Sequence, residues 1–238
     1  MIKLVIFDLD GTLLNTLDDL ADCTNYILQK NGYPAHETEA YKYFVGNGVE
    51  MLLRRALPND IQEKNFSDIF IQFLRHYELH KADKTAPYEG IIETLEELQK
   101  KGIMLAVATN KPHELFPELM QYYFPTIKWA AVFGNRKEVP IKPHPQIVFD
   151  IINAISMDKT CLASITKEEM LYVGDTAVDM QTAQNAGIKK VGALWGFRTK
   201  QELLQENADY LIEKPEELLN RIQLLDGFYA KSGAESLK

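Results

Sequence analysis

Two aspartates stand two residues apart where a short apolar run ends, in the string Asp8-Leu9-Asp10-Gly11-Thr12. Alternation along a strand points residues i and i+2 to the same face, so both carboxylates are expected to lie together. Burying two like charges costs several kcal/mol unless a cation or a proton intervenes. Gly11 permits a sharp turn and a close approach to a ligand. The string therefore predicts a ligand site that needs a cation or a proton beside its carboxylates.

Three further strings carry groups that could bind an anion or a cation. Thr109 and Asn110 offer a hydroxyl and backbone N–H groups that can hold phosphate oxygens. Lys142 lies in a proline-rich context that would fix its position as a cation. Asp175 and Asp179 are four residues apart at a predicted helix start, so they share a face and can meet one cation. Each string is weak evidence alone, and the combination is far more specific.

The elements that must position these groups alternate along the chain. Short apolar runs predict buried strands at residues 4–7, 104–108, 130–133, 171–173 and 190–194, with a weaker sixth at 210–212. Apolar spacings of three and four predict helices at residues 91–101, 145–154, 177–186 and 216–225. Strands that alternate with helices indicate an α/β fold with a parallel sheet. Each motif follows a different strand at the carboxyl edge of that sheet, where ligands bind.

One long stretch breaks this alternation. Between residues 15 and 86 the pattern predicts helices at 17–29, 40–44, 49–56 and 66–80 and no strand. The length suits a small four-helix insert rather than a loop. We therefore expect a catalytic core at residues 1–14 and 87–238, with an all-helical cap at residues 15–86 that determines substrate specificity.

The bulk composition excludes several classes of protein. The chain has 34 acidic and 26 basic residues, a net charge of −8, and no basic patch that would attract nucleic acid phosphates. No run approaches the roughly 20 apolar residues of a membrane span. The apolar run at the N-terminus stops at Asp8, too early for a signal peptide. We expect a cytoplasmic monomer or homodimer that binds neither nucleic acid nor membrane.

In their order and spacing the four motifs resemble the haloacid dehalogenase superfamily, whose motifs are an Asp-x-Asp, a Thr or Ser, a Lys and a terminal acidic pair. The resemblance spans residues 3–225 and implies a Rossmann-like parallel sheet core with an inserted helical cap. Further strings are similar to those of phosphoglycolate phosphatases: Gly46-Asn47-Gly48-Val49, Leu52-Leu53-Arg54-Arg55-Ala56-Leu57, Pro87-Tyr88-Glu89-Gly90, Thr109-Asn110-Lys111-Pro112, Lys142-Pro143-His144-Pro145 and Trp195-Gly196-Phe197-Arg198. The chain departs from that pattern in a longer segment at residues 156–169 and in Asn15, where many relatives have Asp or Glu.

The resemblance implies a role for each acidic residue. Asp8 is expected to be the nucleophile that forms an aspartyl-phosphate, and an ordinary pKa of about 3.9 would leave it ionised at neutral pH. Asp10 is expected to protonate the leaving alcohol and then to activate water. Mg²⁺ is expected to be held by the Asp8 carboxylate, the Asp10 backbone carbonyl and Asp175, with Asp179 bound to it or close by.

The resemblance assigns the phosphate and the leaving group to other residues. The phosphate is expected to meet Thr109, Asn110, Lys142 and Gly11. Four carboxylates, Mg²⁺ and one lysine leave a net charge of about −1, which a proton on Asp10 brings to roughly zero. In the cap, the turn at residues 46–49 and Arg54 or Arg55 are expected to contact the leaving group. Such an arginine could pair with a substrate carboxylate such as that of phosphoglycolate.

Three functions are consistent with these residues. The first is a Mg²⁺-dependent phosphatase for a small phosphate monoester, with 2-phosphoglycolate favoured. The second is a sugar phosphate mutase of the β-phosphoglucomutase type, which shares the core and cap and must exclude water more strictly. The third is a catalytically silent binding or regulatory protein, which the intact set of charged residues disfavours. A dehalogenase is disfavoured by Asp10 and the acidic pair, which that chemistry does not need.

Overall fold

Six apolar segments pair as one parallel β-sheet in the computed structural model, which describes residues 1–157 and 165–235. The strands are β1 (Leu4–Phe7), β2 (Leu14–Asn15), β3 (Ala86–Pro87), β4 (Met104–Pro112), β5 (Trp129–Asn135), β6 (Met170–Gly174), β7 (Lys189–Ala193) and β8 (Tyr210–Ile212). The helices are α1 (Leu17–Lys30), α2 (Thr38–Phe44), α3 (Gly48–Ala56), α4 (Glu63–His80), α5 (Ile91–Lys100), α6 (Pro117–Tyr123), α7 (Gln146–Met157), α8 (Ala177–Ala186), α9 (Lys200–Gln205) and α10 (Glu217–Glu235).

The central sheet has the order β5-β4-β1-β6-β7-β8, with every neighbouring pair parallel. The first strand lies between β4 and β6, and Leu4 is in register with both Met104 and Met170. All six predicted strands are present, and β4 extends through Pro112, so the Thr-Asn motif belongs to an irregular end of that strand. The predicted α/β fold with a Rossmann-like parallel sheet is confirmed.

Helices cover both faces of the sheet. Val5 and Phe7 of β1 belong to a buried cluster with residues of α5, α6 and α10. Leu4 and Ile6 belong to a second cluster with residues of α7 and α8. Strands β1 and β6 at the centre of the sheet are buried on both faces, which explains why they are continuously apolar, whereas β5 and β8 at its edges are partly exposed. The polar residues that follow each strand are thereby left at its carboxyl edge.

Helices α1 to α4 form a third buried cluster of their own, which also includes Leu115 and Phe197 from the rest of the chain. The segment joins the core through a two-stranded antiparallel ribbon, in which Leu14 pairs with Pro87 and Asn15 with Ala86. The sequence pattern predicts the four helices but not this ribbon. The boundaries expected for the cap fall at the ribbon, and the division into two domains stays a prediction.

Two short helices are absent from the sequence-based expectations. They are α6 and α9, of seven and six residues, too short for an apolar periodicity to stand out. Of the longer segment at residues 156–169, residues 158–164 lie outside the described part of the chain. In residues 1–157 and 165–235, no helix is long and apolar enough to cross a membrane.

Candidate active site

A narrow cleft lies between the carboxyl edge of the sheet and the helical segment. Its lining is Asp8, Asp10, Thr109, Asn110 and Lys111 on the sheet side, and Leu20, Val45, Gly46, Gly48, Val49 and Leu52 on the helical side. Two of the four predicted motifs, and the predicted turn at residues 46–49, therefore meet at one cavity. The other two motifs contribute Lys142, which pairs with Asp8, and Asp175 and Asp179, whose carboxylate oxygens lie within 4.8 Å of that of Asp8.

A buried lysine lies between two of the predicted site carboxylates. The Nζ atom of Lys142 is 2.9 Å from Oδ1 of Asp8 and 2.7 Å from Oδ1 of Asp179. The same atom donates to the carbonyl oxygen of Ala108 at 3.0 Å and to the hydroxyl of Tyr172 at 3.1 Å. Lys142 is only 1% exposed, so salt and water screen these ion pairs little. This lysine offsets part of the negative charge at the sheet edge.

Three carboxylates converge beside this lysine. Asp8, Asp175 and Asp179 are all buried and offer oxygens that lie within 4.8 Å of one another. The hydroxyl of Thr12 donates to Oδ1 of Asp175 at 2.9 Å, and the N–H of Phe197 donates to its Oδ2 at 2.8 Å. The carboxylates therefore come from two parts of the chain, and hydrogen bonds from Thr12 and from Phe197, which belongs to a third part, hold Asp175 in place.

This donor set fits a hard divalent cation. Mg²⁺ prefers oxygen ligands and usually takes one or two carboxylates together with water. Oδ1 of Asp8 is buried and, within the described residues, its one close polar partner is Nζ of Lys142 at 2.9 Å, an ion pair that leaves room for a further positive ligand. Asp8, Asp175 and Asp179 could thus hold a metal ion. The carboxylate of Asp10 lies outside this group, and its backbone carbonyl as a ligand stays a prediction.

Burial changes the acidity of these groups. Burial, reinforced by the charge of Asp179 and opposed by Lys142, raises the pKa of Asp8 to about 7. Burial and the charges of Asp179 and Asp8 raise the pKa of Asp175 well above its usual value. Burial alone would lower the pKa of Lys142, but the charges of Asp179 and Asp8 outweigh it and raise that pKa. The expectation that Asp8 keeps an ordinary pKa is therefore wrong, and its charged form needs a cation beside it.

Asp10 pairs with a different lysine. The Nζ atom of Lys111 is 3.0 Å from Oδ1 of Asp10 and donates to the hydroxyl of Tyr77, on α4, at 2.5 Å. Burial would lower the pKa of Lys111, but Asp10 and Tyr77 outweigh it and raise that pKa. The spacing of the first motif thus brings both aspartates to one cleft, as predicted, but places them beside different cations.

The side-chain amide of Asn110 forms hydrogen bonds with the backbone of Lys142 and of Gly46. Its Oδ1 accepts from the N–H of Lys142 at 2.9 Å, and its Nδ2 donates to the carbonyls of Lys142 and Gly46, each at 3.1 Å. Asn110 therefore joins the lysine loop to the turn of the helical segment. The hydroxyl of Thr109 accepts from the N–H of Lys111 at 3.2 Å and donates to no described residue, so its proton is available to an anion. Phosphate contacts for both residues stay predictions.

Gly11 approaches a site carboxylate too closely for any side chain. Its φ of +88° is a conformation that glycine adopts readily and other residues rarely do. A Cβ atom at this position would lie 2.4 Å from Oδ2 of Asp175. The close approach expected of this glycine is therefore to the acidic cluster, and its contact with phosphate stays a prediction.

Arg54 and Arg55 are not among the residues that line the cleft. Arg54 forms ion pairs with Glu50 at 3.0 Å and Glu63 at 2.8 Å on the surface of the helical segment. Arg55 donates to Oδ1 of Asn47 at 2.6 Å and to nearby backbone carbonyls. Both guanidinium groups are occupied by neighbours in their own segment. Their contact with a substrate stays a prediction that this geometry does not favour.

Several groups that contact the site residues are not predicted from the sequence to do so. They are Thr12, Lys111, Tyr77, Tyr172 and the backbone N–H of Phe197. Lys111 directly follows Thr109 and Asn110, and this adjacency to a strand-end motif is a signal that could identify it. Tyr77 gives no comparable signal, because it lies among the apolar positions of a helix and matches a core residue.

Replacement of Lys142 by methionine is expected to destabilise the protein strongly. Removing the cation leaves Asp8 and Asp179 buried without their partner, and breaking a buried pair in this way typically costs about 3–5 kcal/mol. Urea denaturation in the presence of EDTA measures the free energy of unfolding. Lys81→Met is the matched control, because Lys81 is also buried but pairs with the exposed Glu118. Equal losses in the two variants would contradict the expected role of Lys142.

The chain is similar to known proteins over most of its length. The profile of the family described as haloacid dehalogenase-like hydrolases matches residues 5–193. A phosphoglycolate phosphatase of Vibrio parahaemolyticus is 33% identical over 231 residues, which covers 92% of this chain and 95% of the relative. Another, of Pseudomonas savastanoi pv. phaseolicola, is 31% identical over 222 residues, covering 91% of this chain and 78% of the relative. The crystal structure of a predicted phosphoglycolate phosphatase from Haemophilus somnus has a TM-score of 0.84 at 27% identity and covers 93% of this chain and 98% of that one.

Proposed function

Because the chain belongs to the haloacid dehalogenase-like hydrolase family, we propose that it is a Mg²⁺-dependent phosphatase that hydrolyses a small phosphate monoester, with 2-phosphoglycolate preferred. The curated relatives named phosphoglycolate phosphatase support this substrate. The observation that carries the proposal is that Asp8 and Asp10 line one cleft, each beside its own buried lysine. Two carboxylates can divide attack and proton transfer between them when their surroundings differ in this way.

Asp8 is the proposed nucleophile. One of its carboxylate oxygens bonds to phosphorus as the ester oxygen leaves, which gives an aspartyl-phosphate and an alcohol. Lys142, 2.9 Å from Asp8, offsets the charge of the transferring phosphoryl group, and the hydroxyl of Thr109 donates to a phosphate oxygen. When bound by Asp8, Asp175 and Asp179, Mg²⁺ supplies positive charge that neutralises and orients the phosphate.

Asp10 is the proposed proton-transfer group. It donates a proton to the ester oxygen as the alcohol leaves. It then takes a proton from the water that attacks the aspartyl-phosphate, so inorganic phosphate is released and the Asp8 carboxylate is regenerated. The hydrogen bond that its Oδ1 accepts from Lys111, which also donates to Tyr77 of α4, keeps this carboxyl group at the side of the cleft that faces the helical segment.

The helical segment is proposed to act as a cap that selects a compact leaving group. It contributes Leu20, Val45, Val49 and Leu52 to the cleft, so bulk water is kept from the reacting atoms. Asn110 binds the carbonyl of Gly46 across the boundary, which holds the cap turn against the sheet edge. A narrow cleft closed in this way suits an alcohol of a few atoms better than a sugar.

The net charge of −8 and the lack of a long apolar run support a cytoplasmic enzyme whose partner is a small phosphate ester. We propose a monomer or a homodimer.

A panel of phosphate esters tests the proposed function. With Mg²⁺ present, 2-phosphoglycolate is expected to give the highest kcat/KM, at least about tenfold above that of hexose phosphates, because the cleft discriminates by size. Released inorganic phosphate is the measured quantity. Isomerisation of a sugar phosphate without phosphate release would favour the mutase instead. Lack of turnover of every ester would favour the silent binding protein.

A further inference from the structure

We propose that Lys111 is the residue that recognises an acidic leaving group, so that the protein selects esters whose alcohol carries a carboxylate next to the ester oxygen. This inference rests on the proposed function and names the part of the same cleft that chooses the substrate. Lys111 lines the cleft, is 2% exposed, and is contributed by the strand that also carries Thr109.

The hydrogen bonds of Lys111 leave it one donor to offer. A lysine ammonium group has three N–H donors. Nζ of Lys111 bonds to Oδ1 of Asp10 and to the hydroxyl of Tyr77, and to no other atom among the described residues. A desolvated cation binds an anion through a charge-assisted hydrogen bond, which is among the stronger polar contacts in proteins. The third donor is therefore suited to a ligand in the cleft.

The position of Lys111 matches the part of the substrate that leaves. Asp10 is the group proposed to protonate the ester oxygen, and Lys111 lies 3.0 Å from it. A carboxylate one carbon away from the ester oxygen would therefore come within reach of Lys111. The phosphate would lie at the other lysine, Lys142, which pairs with Asp8. The site thus has one buried cation for each end of a short substrate with two anionic groups.

The charge of the site supports the same assignment. Lys111 adds one positive charge to the count made from the four motifs and raises it from about −1 to about zero. With a proton on Asp10 the site carries about +1 before the substrate binds, which favours a substrate with two anionic groups over one with a phosphate alone. The first residues of α3, Gly48 and Val49, line the same cleft, and the N-terminal end of a helix favours negative charge. Arg54, the alternative cation, is held by glutamates outside the cleft.

Lys111→Met tests the inference on two matched esters. One is 2-phosphoglycolate, and the other is 2-hydroxyethyl phosphate, in which a CH₂OH group replaces the carboxylate. Both are expected to react more slowly, because Lys111 also positions Asp10. The ratio of kcat/KM between the two esters reports carboxylate recognition alone, and it is expected to fall by about 10- to 100-fold. Lys81→Met, which removes a buried lysine paired with Glu118, is the control and should leave the ratio unchanged.

The outcomes separate this inference from the proposed function. Equal losses on both esters in a folded Lys111→Met protein would overturn the inference and leave Lys111 with a positioning role only. Lys111→Gln, which keeps donors for Asp10 and Tyr77 but lacks the charge, replaces the methionine variant if that protein does not fold, and the same fall in the ratio is expected. A wild-type preference for the carboxylate ester below about tenfold would overturn the inference without any variant. No phosphate release from either ester by the wild-type protein would refute the proposed function and this inference with it.

Discussion

Replacement of Asp8 by asparagine is expected to lower kcat by about 10⁴-fold or more, because the amide cannot form the acyl phosphate. The variant should fold. Burial disfavours the charged carboxylate and raises the pKa of Asp8 to about 7, so a neutral side chain of the same shape relieves that cost. Steady-state kinetics and the melting temperature measure the two expectations. A folded variant that retains activity within tenfold of wild type would rule out Asp8 as the nucleophile.

Asp10→Asn is the matched comparison for this result. General acid–base catalysis contributes about 10²- to 10⁴-fold, so its loss should be smaller than that of Asp8→Asn. With p-nitrophenyl phosphate the leaving group needs no proton, and Asp10→Asn is expected to release one equivalent of nitrophenolate rapidly before a slow steady state. Asp8→Asn should show no such burst. A burst in Asp8→Asn, or its absence in Asp10→Asn, would contradict the two roles.

Removal of divalent cations is expected to abolish turnover. Asp8, Asp175 and Asp179 place oxygens within 4.8 Å of one another, and Lys142 alone does not neutralise them. A phosphate dianion would then be repelled from the carboxylate that must attack it. The rate of phosphate release in excess EDTA, followed by addition of Mg²⁺, Ca²⁺ or Zn²⁺ in separate samples, measures both the requirement and the preferred ion. Full turnover in EDTA would contradict the metal site.

The Asp175→Asn variant tests whether the required divalent cation binds at the acidic cluster. The Mg²⁺ concentration that gives half-maximal activity is expected to rise by at least about tenfold, because a charged ligand is lost. Asp209→Asn is the control, since this carboxylate accepts from the N–H of Lys190 at the opposite edge of the sheet. An unchanged Mg²⁺ requirement in Asp175→Asn would remove this residue from the metal site.

Much of the fold is predictable from local pattern. A strand that is covered on both faces is a short, continuous apolar run, as in Leu4–Phe7. Loops rarely contain such runs, and all six strands of the sheet are predicted from them. The ribbon of Leu14–Asn15 with Ala86–Pro87 is not predictable in this way. It consists of two residues on each side, and its pairing depends on where the helical segment returns to the core.

Part of the candidate site is likewise predictable from the sequence, and part depends on contacts that form only in the folded chain. The convergence of Asp8, Asp175 and Lys142 follows from strand ends that share one edge of a parallel sheet. The pairing of Asp10 with Lys111 depends on the irregular end of β4 and on the hydroxyl of Tyr77 from the cap, and no local signal encodes either. The raised pKa of Asp8 cannot be predicted from the sequence either, because the burial of a particular carboxylate is a property of the folded chain.

In the proposed mechanism the phosphoryl group is transferred to Asp8 before it is transferred to water. The stereochemistry at phosphorus distinguishes this route from direct attack by water. The substrate is a thiophosphate ester made chiral by two oxygen isotopes, it is hydrolysed in water that contains the third isotope, and the configuration of the released thiophosphate is measured. Transfer to Asp8 and then to water is two in-line displacements, each of which inverts the configuration, so net retention is predicted. Net inversion would show that water attacks the ester directly and would contradict the covalent role of Asp8.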